Sequence, residues 1–162
     1  MQQLKWVALG YNVPVNPSKN RVYVWRKLKE MGVAYFKQGV AVLPKNQKSI
    51  AAFRALAAKI RSMKGEASLI EITFLDPEDE QEFVSRFRLQ SEGEYGELMR
   101  DCANLMESIR HNLLTDPALP DHIGRMIKRY TKVKQRDYFK SEATALEEMV
   151  ADILDTAKRL GL

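Results

Sequence analysis

The sequence predicts an α+β fold: a four-stranded antiparallel sheet in βαββαβ order, followed by a helical C-terminal extension. Three observations predict it. The runs Leu4–Tyr11 and Val40–Pro44 are apolar on both alternating faces, as central strands are. The run Ala67–Asp76 alternates, with Ile70, Ile72 and Phe74 on one face and Leu69, Glu71 and Thr73 on the other, as an edge strand does. Beyond Asp76 the apolar residues recur at helical spacing instead.

The first strand is expected near residues 4–12, with Lys5 the exception to its apolar character. A helix follows over Lys19–Met31, and Gly32 stops it. On that helix Val22, Val24, Trp25, Leu28 and Met31 fill one half of the circumference. Arg21 falls near the middle of that half, so its guanidinium is expected to point inward and to need a partner. Val33–Lys37 reads as the second strand, Gln38-Gly39 as a tight turn, and residues 40–44 as the third strand. Ser49 is expected to cap the next helix, whose stripe is Ile50, Phe53, Leu56, Ala57, Ile60 and Met63. Gly65 closes it, and the fourth strand runs near residues 67–75.

This order matches the ferredoxin-like arrangement, in which the first and third strands are central and the spatial order is 4-1-3-2. Residues 1–76 form that domain, and residues 77–162 form the helical extension packed on it. Two helices cover one face of the sheet, so the C-terminal part or a second subunit must cover the other. In the extension, Asp76-Pro77 starts a helix over Glu78–Leu89 with Phe83, Val84 and Phe87 inward. Gln90–Glu94 reads as a break. Tyr95, Leu98, Met99, Cys102, Leu105, Met106, Ile109 and Leu113 then repeat at helical spacing. A loop at Thr115–Asp121, a helix over Asp121–Tyr138 and a last helix capped by Ser141 complete the chain, for five or six helices in all.

Charge is segregated along the sequence. Residues 1–64 carry 13 Lys/Arg against one acid, Glu30. Residues 65–124 carry 4 against 14 acids, and residues 125–162 carry 9 against 6. The blocks either face one another within the fold or present an electropositive face to phosphates or other anions. Cys102 is the single cysteine, so no internal disulfide forms and a reducing, cytoplasmic setting is expected. No apolar run approaches the roughly 20 residues of a membrane span. Two histidines, His111 and His122, with no CxxC give a structural zinc site no support, and no metal or cofactor is expected.

Little in the sequence suggests catalysis. The acids of Asp76–Glu82 sit at a helix start, where the dipole accounts for them. Neither a nucleophile elbow nor a Gly-rich phosphate loop is present, so no catalytic residue is assigned and the chain is not expected to be an enzyme. Trp25 and the Met-rich stripes read as core. The helix around His122–Asp137 is two-faced, with Ile123, Met126, Ile127, Tyr130 and Val133 on one side. Arg125, Lys128, Arg129, Lys132 and Arg136 lie on the other with no acid among them. They are the candidate nucleic-acid contacts, because a merely soluble helix tends to interleave signs. Arg21 and Arg26 are candidate anion ligands near the end of the first strand.

The stretch RVYVWRKLKEMGVAYFKQGVAVLP resembles the N-terminal domain of the ChrB family of chromate-resistance regulatory proteins. The shared pattern is an arginine, an aliphatic residue, a Trp-Arg pair on a helix, a glycine and a strand ending Leu-Pro. The late segment RYTKVKQRDYFKSEATALEEMV resembles the same family's basic helix, its Asp-aromatic-Phe turn at Asp137, Tyr138 and Phe139, and its closing helix. The resemblance implies a ferredoxin-like domain with appended helices and a role in chromate-responsive control of transcription. It also implies a second domain in the full-length family members. The same grammar is similar to the phenylacetate-type repressors (PaaX) and the small ferredoxin-fold CRISPR adaptation subunit. In that last group an aspartate that ends the first strand binds metal. Here the place is held by Asn12, a poor metal ligand, which argues against a nuclease.

The leading expectation is therefore a non-enzymatic regulatory module whose partners are DNA, a second regulatory domain or protein, or a second copy in a homodimer. The alternative is a sensor that holds chromate or sulfate between Arg21 and Arg26. For Arg21 itself, the expected structural partner is Asp137, which projects near the apolar face of its own helix.

Overall fold

A computed structural model describes residues 4–111 and 117–161. The element order is β1 (Trp6–Asn12), α1 (Ser18–Met31), β2 (Ala34–Lys37), β3 (Val40–Pro44), α2 (Gln47–Ser62), β4 (Glu66–Ile72), α3 (Pro77–Arg110), α4 (Leu119–Gln135) and α5 (Thr144–Arg159). The chain divides into two compact units, Met1–Phe87 and Arg88–Leu162, so the boundary falls inside α3.

The sheet unit holds four antiparallel strands in the order β2-β3-β1-β4, as the sequence predicts. Trp6, Val7, Ala8 and Leu9 are all buried, which is why β1 reads as apolar on both faces. Phe53, Leu56, Ala57 and Ile60 of α2 are buried, together with Val24 and Leu28 of α1. On the side of the sheet that bears Trp6, the start of α3 supplies the cover. The indole lies 5.3 Å from the Phe83 ring and 5.7 Å from the Phe87 ring, centroid to centroid. Its Nε1 donates to buried Glu80 at 2.8 Å. These contacts draw the first turns of α3 into the sheet unit as far as Phe87.

Several local expectations need correction. Asn46, not Ser49, is the N-cap of α2; its side chain accepts from the Ser49 N–H at 2.7 Å, and the Ser49 hydroxyl accepts in return from the Asn46 N–H at 3.0 Å. The expected break at Gln90–Glu94 is absent, and α3 runs continuously over 34 residues. Gly93 is the only weak helix former there. A single glycine costs about 1 kcal/mol, which the buried stripe Tyr95, Leu98 and Cys102 outweighs. The last helix starts at Thr144 with Ala143 at its N-cap and no side-chain cap. Ser141 instead belongs to a turn closed by Asp137. The expected loop Thr115–Asp121 lies partly outside the described residues, as does Leu113, and α4 already begins at Leu119.

The helical unit is built around Leu98, Cys102, Ile123, Met126, Leu146 and Ile153, all buried. No helix among the described residues is long and apolar enough to cross a membrane.

Candidate functional site

Arg21 is exposed, not inward, and so are Val22 and Trp25, which is 55% exposed. The physical reason is that α1 buries a narrow strip, Val24 and Leu28, so the wide apolar half-circle read from the sequence mostly meets solvent. Cations gather over these exposed rings. Lys29 Nζ lies 5.0 Å from the Trp25 centroid, while Lys27 and Lys59 lie 5.7 and 5.6 Å from Tyr23. Glu30, the single acid of this stretch, reaches Lys27 at 3.7 Å. Arg21, Arg26 and Lys29 have no carboxylate partner among the described residues.

The basic face of α4 is less free than its own sequence suggests. Arg129 bonds Glu97 and Asp101, the latter at 2.6 Å, and Arg136 grips Glu94 through both Nε and Nη2. Partner numbers fall as the arginine numbers rise, so α3 and α4 run antiparallel along this seam. Arg125, Lys128 and Lys132 keep no ion-pair partner among the described residues. Among the described residues, three of the five expected phosphate contacts thus have no carboxylate partner.

At the end of β1 lies a recess of about 390 Å³ lined by Tyr11, Asn12, Arg21, Trp25, Gln38 and Gly39, with Val13 and Val24 beneath. Arg26 is not among its lining residues. Two glycines fix its rim. Gly39, at φ +78°, lets the β2–β3 turn come so close that a Cβ would stand 2.9 Å from the Tyr11 carbonyl oxygen. The Tyr11 N–H donates to the Gly39 carbonyl at 2.8 Å. At Gly65 a Cβ would stand 2.6 Å from the Asn12 carbonyl oxygen. Burial, aided by the bond to the Tyr35 hydroxyl, pushes the Tyr11 phenol above its ordinary pKa, so it stays neutral.

Asp137 has partners within its own unit. It accepts from the Tyr95 hydroxyl at 2.8 Å and from the Ser141 N–H at 3.0 and 2.8 Å. Burial and that carboxylate hold the Tyr95 phenol well above its usual range. Sequence reasoning expected Arg21 for this carboxylate and missed Tyr95, which reads as one more apolar position in the α3 stripe. It also took Trp25 as core and gave Gln38 and Gly39 no role beyond the turn. Among the described residues no three of His, Cys, Asp and Glu come together as a metal-ligating group.

The family model for "Protein ChrB, N-terminal" matches residues 21–159. The chain is 24% identical over 148 residues to Protein ChrB of Cupriavidus metallidurans, covering 89% of this chain and 43% of that protein. No solved structure matches it. The matched residues take in most of α1, the sheet from β2 onward, and the whole of α2 to α5; the chain belongs to the ChrB N-terminal family.

Proposed function

We propose that this chain is a regulatory module that binds duplex DNA through its unpaired cations, within the chromate-responsive control of transcription that ChrB relatives suggest. It acts by binding and not by catalysis. The observation that carries the reading is a group of cations with no carboxylate partner among the described residues, Arg21, Arg26 and Lys29 on α1 and Arg125, Lys128 and Lys132 on α4 among them. Arg125 to Lys132 spans about 10 Å at 1.5 Å per residue. Duplex DNA presents one charge per about 1.7 Å of axis, so this row matches several phosphates.

Anisotropy titration of a labelled duplex against salt tests the proposal. Affinity is expected to fall steeply as salt rises, and each removed phosphate contact lowers the log–log slope by about 0.9. Arg129→Gln is expected to change the slope less than Lys128→Gln, because Arg129 is already paired with carboxylates. Absence of binding at low salt sinks the DNA reading and leaves a protein partner as the occupant of these surfaces.

A further inference from the structure

We infer that the recess at the end of β1 is a binding site for a small flat aromatic anion, a ring that carries one acidic group, held between Trp25 and Arg21. This does not rest on the nucleic-acid reading, although Arg21 figures in both, because it is argued from the size and lining of the recess alone.

Size comes first. The recess measures about 390 Å³, within the roughly 300–1,000 Å³ of ligand pockets. A tetrahedral oxyanion displaces only a few waters of about 30 Å³ each, and would leave most of the space wet. Charge comes second. Arg21 is the single cationic residue among the lining residues, and Arg26, which a two-arginine clamp on a dianion would need, is not one of them. One planar guanidinium satisfies one carboxylate or one phosphate edge bidentately. It does not neutralise a dianion.

The remaining walls suit a ring. Trp25 is more than half exposed in a unit whose other tryptophan, Trp6, is completely buried. An indole left at a recess supplies a stacking face, and stacking is tolerant of which ring arrives. The Asn12 and Gln38 carboxamides each offer both a donor and an acceptor, which fit the heteroatoms on a ring's edge. Tyr11 lines the recess as a neutral phenol and does not repel an anion. Gly39 and Gly65 hold the backbone at Tyr11 and Asn12 in close contact with its neighbours, so the rim is formed before a ligand arrives and little ordering accompanies binding.

The shared chemistry admits two sources, a nucleotide or an aryl carboxylate. Calorimetric titration of the full chain with the monoanionic nucleotide adenosine 3′,5′-cyclic monophosphate, benzoate, sulfate and chromate separates them. Saturable one-to-one binding of a ring-bearing anion is expected, with sulfate and chromate at least tenfold weaker. Preference for the nucleotide over benzoate, or the reverse, assigns the source. Arg21→Gln and Trp25→Leu are each expected to weaken the ring anion by roughly tenfold. Both residues are exposed, so far-UV circular dichroism and the melting midpoint should stay at wild-type values. Gln38→Ala, in the turn, is a second such probe, expected to weaken the ring anion with no loss of fold. Equal or tighter binding of sulfate or chromate, unaffected by Trp25→Leu, overturns the proposal in favour of an oxyanion site. Absence of saturable binding by both ring anions overturns it altogether.

Discussion

The sheet unit, Met1–Phe87, carries 14 Lys/Arg against 8 Asp/Glu, and the helical unit, Arg88–Leu162, carries 12 against 13. The larger difference lies in what the charges touch. In the helical unit, Arg129 and Arg136 tie α4 to α3, and Lys134 reaches Glu142 at 3.2 Å and Glu147 of α5 at 3.9 Å. Tyrosines join the same scheme, Tyr95 on Asp137 and Tyr130 on Glu142. In the sheet unit the helices are held by apolar and aromatic packing. Among the described residues there, the ion pair that links distant elements is Lys45–Glu71, at 2.6 Å. A unit closed by packing leaves most of its cations available to outside anions, whereas a unit closed by charge commits several of its own, Arg129, Lys134 and Arg136, to internal partners.

Mutations can break or sharpen this contrast. The largest effect is expected from Phe83→Ala, which opens the aromatic cluster around Trp6 and should cost about 3–5 kcal/mol in urea denaturation. That loss should be nearly independent of salt; a strong salt dependence would mean that packing is not what closes the sheet unit. Asp137→Ala comes next. It strands the Tyr95 hydroxyl and the Ser141 N–H together, and about 2–3 kcal/mol is expected for hydrogen bonds to a charged group. A double-mutant cycle with Tyr95→Phe should show clear coupling, and additive losses would remove Tyr95 from the scheme. Arg136→Gln is expected to cost about 1 kcal/mol. Arg129→Gln, whose partners are more exposed, should cost less, with an effect that fades in molar salt. Glu71→Gln is expected to be the smallest. The hydrogen bond from Lys45 lowers the pKa of this exposed carboxyl. Its small contribution is therefore present above the unfolded-state pKa and lost as pH falls through the depressed folded value. A difference between Glu71→Gln and the parent chain should be detectable at neutral pH and gone in acid.

The sheet was legible because burial leaves a direct mark on composition. Val7, Ala8 and Leu9 in β1, and Ala41, Val42 and Leu43 in β3, are apolar without alternation because both faces of those strands are covered. The order of the strands followed from that mark. What the sequence concealed was partnership across distance. Trp6 bonds Glu80 from 74 positions away, and no local pattern announces such a contact. The α3–α4 seam was partly legible in retrospect. Glu94, Glu97 and Asp101 form an acidic stripe at helical spacing, which matches Arg129 and Arg136 two turns apart. Reading α4 alone left those acids out, so its face looked free. Arg21 and Trp25 were misplaced for the opposite reason. The apolar arc on α1 is wide, but the helix packs along two residues of it, and sequence periodicity reports the width of an arc without saying how much of it is covered.

Cys102 has a consequence in time. It is fully buried in the helical unit, and burial together with Asp101 pushes its thiol above the ordinary cysteine range. A thiol reagent needs the thiolate, and it reaches this one only when the surrounding core opens. The rate of labelling in the unmodified chain therefore counts openings of that unit. Both tryptophans lie in the other unit, so the two halves carry separate natural clocks. A stopwatch and a colorimetric thiol reagent time the openings of the charge-closed half, and tryptophan fluorescence follows the packed one.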